Sequence, residues 1–319
     1  MLLNETIFFS YLNRYNCFEK HPSIAVGVSG GPDSLALVFL LSKWIKLKQG
    51  TLNALIFDHG IRRNSKKESL EVKHILDTLK INSKILRPKK NNTIKKNMAQ
   101  ARSNRLNGLI NFCIKNNIIH LFLGHHFDDN LETYLIRQVN GSNFEGLESM
   151  KEISYFNKIQ LIRPFLNINK KSILKFNNKN KLFFLNDPSN KDENYTRVKV
   201  RNFLQKKNYK KLVKYDFINI KKEIPVYKDM IWTYFIETLY EVKSKNIKIN
   251  ISKLLKFDII IVERIILICL KFFSIQNFKV RHSKITLFIN ELKKPGFRIF
   301  DLSNVSITKK GEFLIFSQK

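Results

Sequence analysis

Cysteine is scarce in this chain of 319 residues. Cys17, Cys113 and Cys269 are the only three, and no two stand at C-x-x-C spacing. Neither a disulfide framework nor a zinc knuckle is indicated. Acidic residues are short as well: 26 Asp and Glu stand against 57 Lys and Arg, for a formal charge of +31. A composition rich in Lys, Asn, Ile and Phe accounts for lysine standing in for arginine, but not for the missing acids. A chain this basic is expected to meet a polyanion, nucleic acid ahead of a membrane surface, because clustered cations gain affinity by releasing counterions from phosphates. Uninterrupted apolar runs are missing too. The start, MLLNETIFFSYLNRYNC, carries Glu5 early and lacks the apolar core of a secretory signal. The most apolar stretch, FDIIIVERIILICLKFF, has Glu263 and Arg264 in its middle and reads as a buried helix rather than a membrane span. The expectation is a soluble cytoplasmic protein, with a substantial core at 44% hydrophobic residues.

Short apolar runs at 24–29, 52–58 and 118–123 each lie near a stretch of helical spacing, at 33–46, 65–80 and 97–116. Strands alternating with helices predict an α/β fold, a parallel sheet with helices on both faces. Residues 83–88 and 159–166 read as further strands, and 128–138 and KKSILKFNNKNKL as further helices. The charge run QKKNYKKLVKY at 205–215 marks a domain boundary, giving a nucleotide-binding domain over 1–210 and a smaller domain over 211–319. In the latter, 223–243, 257–273 and 281–294 read as helices, and the tail FRIFDLSNVSITKKGEFLIFSQK as a closing β-hairpin turned at Lys-Lys-Gly.

The segment IAVGVSGGPDSLALVFLL, 24–41, reads as strand, glycine turn and helix. Glycines let the backbone approach phosphate oxygens, and a helix N-terminus offers free N–H groups and partial positive charge. Yet the lysine that a Walker A loop brings to the β and γ phosphates is missing. The whole string S-G-G-P-D-S at 29–34 resembles the signature of the PP-loop ATP pyrophosphatases. That resemblance implies that the loop grips a leaving pyrophosphate while a substrate oxygen attacks the α-phosphate, so that AMP rather than phosphate is transferred.

Ligands of open α/β sheets sit at the carboxyl ends of the strands, and two more strand ends carry polar residues. LIFDHGIRR offers Asp58, His59 and Arg62. LFLGHHFDDNLETYLIRQ ends its strand at Gly124 and then sets His125, Asp128 or Asp129, and Glu132 three to four apart, on one helical face. Asp33 and Asp129 are natural carboxylates for a Mg2+ shared with the phosphates, since magnesium prefers oxygen ligands. Zinc on His125, His126 and Asp129 is the alternative. Glu132, one turn past Asp129, is placed to meet an amine. Arg102 and Arg105 share a helix face and suit phosphates, as do Arg197 and Arg201 farther on.

Taken in order, S-G-G-P-D-S at 29–34, D-H-G-I-R at 58–62, A-R-S-N-R at 101–105, G-H-H-F-D-D-N-L-E-T at 124–133, R-P-F-L at 163–166 and N-D-P-S-N-K-D-E-N-Y-T-R-V-K-V-R at 186–201 make the chain resemble the tRNA(Ile)-lysidine synthetases. The resemblance spans about residues 20–210. It implies ligation of free lysine to C2 of the wobble cytidine of a tRNA(Ile) with a CAU anticodon, through an adenylated cytidine. It also implies that Ser29, Gly30, Gly31, Pro32, Asp33 and Ser34, with Asp58, His59, Arg102 and His125, hold ATP. Asp33 and Asp129 would hold Mg2+, Glu132 would bind the lysine amine, and Arg197, or else Arg201, would place lysine or meet leaving-group charge. Leu106 stands where the family often has an aromatic, and Asn186 where it usually has an acid. Longer members carry a further C-terminal domain, so the QKKNYKKLVK run with Lys309 and Lys310 is expected to grip RNA. Tyr209 and Tyr215 either stack on bases or belong to the core. The competing readings are a PP-loop tRNA thiolase, which needs sulfur-handling cysteines, and a non-catalytic RNA-binding relative.

Overall fold

The structure, a computed structural model, describes residues 3–60, 64–88, 98–185, 196–273 and 280–319. It divides into two compact units, Met1–Ile218 and Asn219–Lys319.

Unit 1 is built on a six-stranded sheet of order β3-β2-β1-β4-β6-β5, with β1 Ser23–Val28, β2 Thr51–Phe57, β3 Ser83–Leu86, β4 His120–Phe122, β5 Ile153–Phe156 and β6 Ile159–Ile162. All neighbours run parallel except the edge strand β5, which pairs antiparallel with β6. Successive strand residues point to opposite faces, and the core divides accordingly. Ile24, Val26, Val28, Ala54, Ile56, Phe122 and Ile162 pack against α1 Glu5–Arg14, α2 Pro32–Leu47, α3 Ser65–Thr78 and α6 Lys170–Lys179. Ala25, Leu55, Leu121, Ile159 and Leu161 face Leu109, Ile110 and Cys113 of α4 Met98–Lys115. The expected parallel sheet with helices on both faces is therefore present. α1 and β5 add to the elements expected from the sequence. Two further helices belong with the site: α5 Phe127–Val139 and α7 Thr196–Gln205.

The order of the strands sets where a ligand can sit. From β1 the chain steps to β2 on one side and later to β4 on the other, so the crossovers diverge between β1 and β4. That divergence leaves a crevice at the carboxyl ends of these two strands.

The charge run read as a boundary is helical: α8 spans Lys207–Thr238, with Pro225 inside it. Helix was expected to continue to 243. Instead β7 Leu239–Lys243 turns back onto β8 Asn246–Asn250. The closing hairpin of β10 Val305–Lys310 and β11 Phe313–Gln318 is present. It is flanked by β9 Ile299–Leu302 on one side and by β8 and β7 on the other, making a five-stranded antiparallel sheet. Alternate residues Ile247, Ile249, Ile307, Leu314 and Phe316 bury against α9 Ile259–Phe272 and α10 His282–Leu292. Glu263, in the apolar run, faces the side chains of Thr286 and His282 at 3.3 and 3.4 Å. Among the described residues no helix is long and apolar enough to cross a membrane.

Trp44 anchors the core of unit 1, almost fully buried and edge-on to Phe18 at 4.9 Å. Trp44→Ala should cost about 3–5 kcal/mol of unfolding free energy in a urea titration. A loss below about 1 kcal/mol would show that the face is not packed as described.

Candidate active site

The loop after β1 is shaped by its own hydrogen bonds. The Ser29 N–H donates to Ser34 Oγ at 3.1 Å, Ser34 Oγ donates to the Gly31 carbonyl at 3.0 Å, and the two serine hydroxyls lie 3.2 Å apart. Gly30 sits at φ +82°, and a Cβ there would fall 2.4 Å from Cγ2 of Val72 in α3. Only glycine meets both the left-handed backbone and the close approach. Gly31 caps α2 without a side-chain hydrogen bond and Pro32 opens the helix, so the first-turn N–H groups face the crevice without a side-chain cap. Gly124, just past β4, brings a second backbone against the loop, with its Cβ position 3.2 Å from Ser34 N.

The turn after Gly124 carries α5. His126 is its N-cap, in a capping box with Asp129. Asp129 N–H donates to His126 Nδ1 at 3.3 Å, and His126 N–H donates to Asp129 Oδ2 at 3.1 Å. The other ring nitrogen of His126 lies 3.4 Å from Asp129 Oδ2 and 3.8 Å from Asp33 Oδ1. The two carboxylates singled out in the sequence therefore converge on one imidazole. Burial works against ionisation of Asp129, but the contacts with His126 and the charge of Arg197 outweigh it and hold the carboxyl below its ordinary range.

Each remaining acid of the site meets a cation. Lys170, the first residue of α6, places Nζ 2.6 and 2.5 Å from the two oxygens of Asp33 and donates its backbone N–H to Asp128 Oδ2 at 2.8 Å. Lys210 of α8 pairs with Asp128 as well. The Asp128 carboxyl, although partly desolvated, is drawn below its usual range by these donors. Glu132 is buried and takes Arg201 Nε at 2.7 Å and Nη2 at 3.4 Å. The same contact raises the Arg201 guanidinium above its ordinary value, against partial burial. Arg197 Nη2 donates to Thr133 Oγ1 at 3.2 Å.

A second group of guanidiniums crowds in from α4. Burial lowers both Arg102 and Arg105, and repulsion from Arg197 lowers them further. His125 is pulled down to about 4 by burial and by Arg163, Arg105 and Arg197, so it is neutral at physiological pH, with Nδ1 buried and without a hydrogen-bond partner. A neutral ring beside mutually repelling arginines suits an anionic ligand.

Ser29 to Ser34, Asp129, Glu132, Arg102, His125, Arg197 and Arg201 are thus brought together. Asp58 and His59 close β2, the next strand. The Asp58 carboxylate accepts the Gly60 N–H at 3.0 Å and lies 3.4 Å from Arg87 Nε, and the His59 ring stands edge-on to Phe57. Arg62 and the D-P-S-N string from Asn186 lie outside the described residues. R-P-F-L is chiefly structural, with Phe165 and Leu166 in the core. Lys170, Lys210 and His126 as a capping residue were not foreseen.

A magnesium ion fits the donor set. Asp33 and Asp129 offer carboxylate oxygens from two strand ends, and magnesium completes its shell with water and phosphate oxygens. Among the described residues no group of three or more His, Cys, Asp and Glu could hold a metal alone, and the Nδ1 of His126 is engaged in the cap, which counts against the zinc alternative.

The chain belongs to the PP-loop domain family, whose model matches residues 4–208. Among curated proteins it is similar to the tRNA(Ile)-lysidine synthase of Orientia tsutsugamushi, 35% identical over 63% of this chain and 45% of that protein. It is likewise similar to that of Wolbachia pipientis wMel, 29% identical over 92% of this chain and 69% of that one. The chain thus spans less than half the length of the Orientia relative. Among solved structures, the U34-tRNA thiolase NcsA from Methanococcus maripaludis shares the fold, with a TM-score of 0.58 at 18% identity, covering 69% of this chain and 78% of that one.

Gly30→Ala should destabilise unit 1 by about 1–3 kcal/mol, through strain at positive φ and the clash with Val72. Arg201→Ala should cost about 3–5 kcal/mol by leaving the Glu132 carboxylate buried and unpaired, with Glu132→Gln in the same background restoring much of the loss. Denaturant unfolding reads both, and an Arg201→Ala variant as stable as the parent would refute the pairing.

Proposed function

We propose that the chain is an ATP-dependent ligase that joins free lysine to C2 of the wobble cytidine of a tRNA(Ile) with a CAU anticodon, forming lysidine and releasing AMP and pyrophosphate. The observation that carries this reading is the meeting, at the crevice between β1 and β4, of a helix N-terminus opened by Gly30 and Gly31 with the carboxylates Asp33, Asp129 and Glu132. The lysidine synthase relatives supply the substrate class.

In this reading the α2 N–H groups and the Ser29 and Ser34 hydroxyls bind the pyrophosphate end of ATP, and Arg102 lies ready for phosphate charge. Asp33 and Asp129 would hold Mg2+, which neutralises charge on the α-phosphate and the leaving pyrophosphate. Lys170 exchanges its pairing with Asp33 for one with phosphate oxygens. The C2 carbonyl oxygen of cytidine attacks the α-phosphorus, the bond to pyrophosphate breaks, and the base carries AMP through that oxygen. The ε-amine of lysine, having lost a proton, then attacks C2 and AMP departs with the oxygen. Glu132 receives the amine in exchange for part of its contact with Arg201. Arg197 and Arg201 meet the lysine carboxylate or the charge on departing AMP.

The C-terminal residues, 211–319, supply further RNA contacts, with Lys309 and Lys310 exposed on β10. A thiolase reading finds no support in the cysteines. Cys113 is buried with its thiol pushed up to about 12, Cys269 is buried and likewise raised, and burial raises Cys17. Sulfur chemistry needs the opposite, a thiolate-favouring setting. A purely RNA-binding relative would have no use for Asp33, Asp129 and Glu132 converging beside the loop.

Purified chain incubated with ATP, Mg2+, radiolabelled lysine and the tRNA transcript should place label in RNA and yield AMP, with chelation of Mg2+ abolishing both. ADP as the sole nucleotide product would overturn the reading. Glu132→Ala should cut lysine transfer by about a hundredfold or more, with pyrophosphate release persisting; equal loss of both steps would remove its role at the amine. Affinity for the transcript should fall on the order of a thousandfold between about 50 and 200 mM salt, and a flat profile would assign the basic surface to something else.

A further inference from the structure

Two rings on unit 1 lie in solvent rather than in a core. Phe203, near the end of α7, and Tyr209, in the first turn of α8, stack with centroids 4.5 Å apart and planes 13° from parallel. They remain 40% and 43% exposed, and neither belongs to the hydrophobic clusters of the sheet. Lys206 holds Nζ 5.9 Å from the Tyr209 ring centroid, and Lys206, Lys210, Lys211 and Lys214 are all exposed. The pair is also placed relative to the site. Arg201, two residues before Phe203, grips Glu132, and Lys210, next to Tyr209, pairs with Asp128. Both tethers end on α5, so the α7–α8 corner is pinned to the helix that bears the site's carboxylates.

Rings this exposed, outside the core clusters of unit 1, add less to the fold than buried aromatics would. Held parallel, they offer a flat π-surface wide enough for a base, and the neighbouring ammonium groups suit the phosphates of the same strand. An apolar protein partner would gain nothing from four exposed lysines beside the rings. We propose that the Phe203–Tyr209 stack is a platform for an unpaired RNA base that flanks the nucleotide entering the active site. This rests on the reading of the chain as a tRNA-modifying enzyme. It assigns Phe203 and Tyr209 to substrate positioning, with no part in the bond-making steps.

The test uses the full chain and an RNA hairpin carrying the CAU anticodon loop, with 2-aminopurine in turn at each loop position beside the wobble cytidine. Wild-type protein should quench the fluorescence at one position, as stacking requires. The double variant Phe203→Ala/Tyr209→Ala should lose that quenching and bind the hairpin about tenfold or more weakly. Its ATP affinity and the slope of log affinity against log salt should stay unchanged, since no ionic contact is removed. Tyr209→Phe should behave as wild type. Lys206→Ala should instead lower the slope by about one. Unchanged quenching and affinity in the double variant would overturn the platform while leaving the proposed reaction in place. A wild-type chain that binds ATP but no hairpin would overturn both.

Discussion

The head of the sheet depends on one backbone bend. At Gly30 the chain leaves β1 in the left-handed region, passes close against Val72 and enters α2 at Pro32 with no side chain across the helix end. Any other residue at Gly30 would push α3 away or straighten the turn, and the α2 N–H groups would no longer point into the crevice. The second strand end is fitted to this bend. Gly124 lets β4 approach the same loop, and the Asn177 side chain of α6 donates to the Pro32 carbonyl at 2.9 Å. Three elements distant in sequence thus hold one loop in shape, and what the loop exposes is backbone dipole rather than side chain. Such a binding surface is already organised before a ligand arrives, so little ordering remains to oppose binding.

Around that surface the charges are arranged in two sets. Asp33 with Lys170, Asp128 with Lys210 and Glu132 with Arg201 form pairs in which each acid is matched. Arg102, Arg105 and Arg197 form a second set, near enough to repel, with Arg105 and Arg197 partly withdrawn from water. An anion among them removes that repulsion, which gives a phosphate or carboxylate a driving force beyond its own hydrogen bonds. His125, kept neutral among them, adds no further repulsion.

Much of this was legible in the sequence, for identifiable reasons. S-G-G-P-D-S and G-H-H-F-D-D-N-L-E-T are local strings whose function lies in a turn and one helical face, so spacing alone brings Asp129 and Glu132 together. The strand and helix alternation of unit 1 is likewise a local pattern. What stayed hidden was pairing at long range. Lys170 looked like the start of an ordinary helix and Lys210 like one more charge in a basic run, yet their partners stand 137 and 82 residues away. The run at 205–215 also hid a helical pattern behind its charge. β7 and β8 are hidden because Leu239–Lys243 continues the helical spacing of the residues before it, and only pairing with β8, itself held by β11, fixes it as strand. Tyr209 could not be assigned to core or surface until its exposure was known.

Lys170 joins two of these features in a single residue. Its backbone amide holds Asp128 at the head of α5, while its ammonium group neutralises Asp33 at the head of α2. An aspartate at the mouth of a phosphate site would otherwise turn away the ligand it is meant to help. In the proposed reaction, a polyphosphate would meet a loop whose acid is already masked, and the masking cation would change sides as magnesium came in with it. On that reading one side chain would serve as counterion twice, first to the acid and then to the nucleotide.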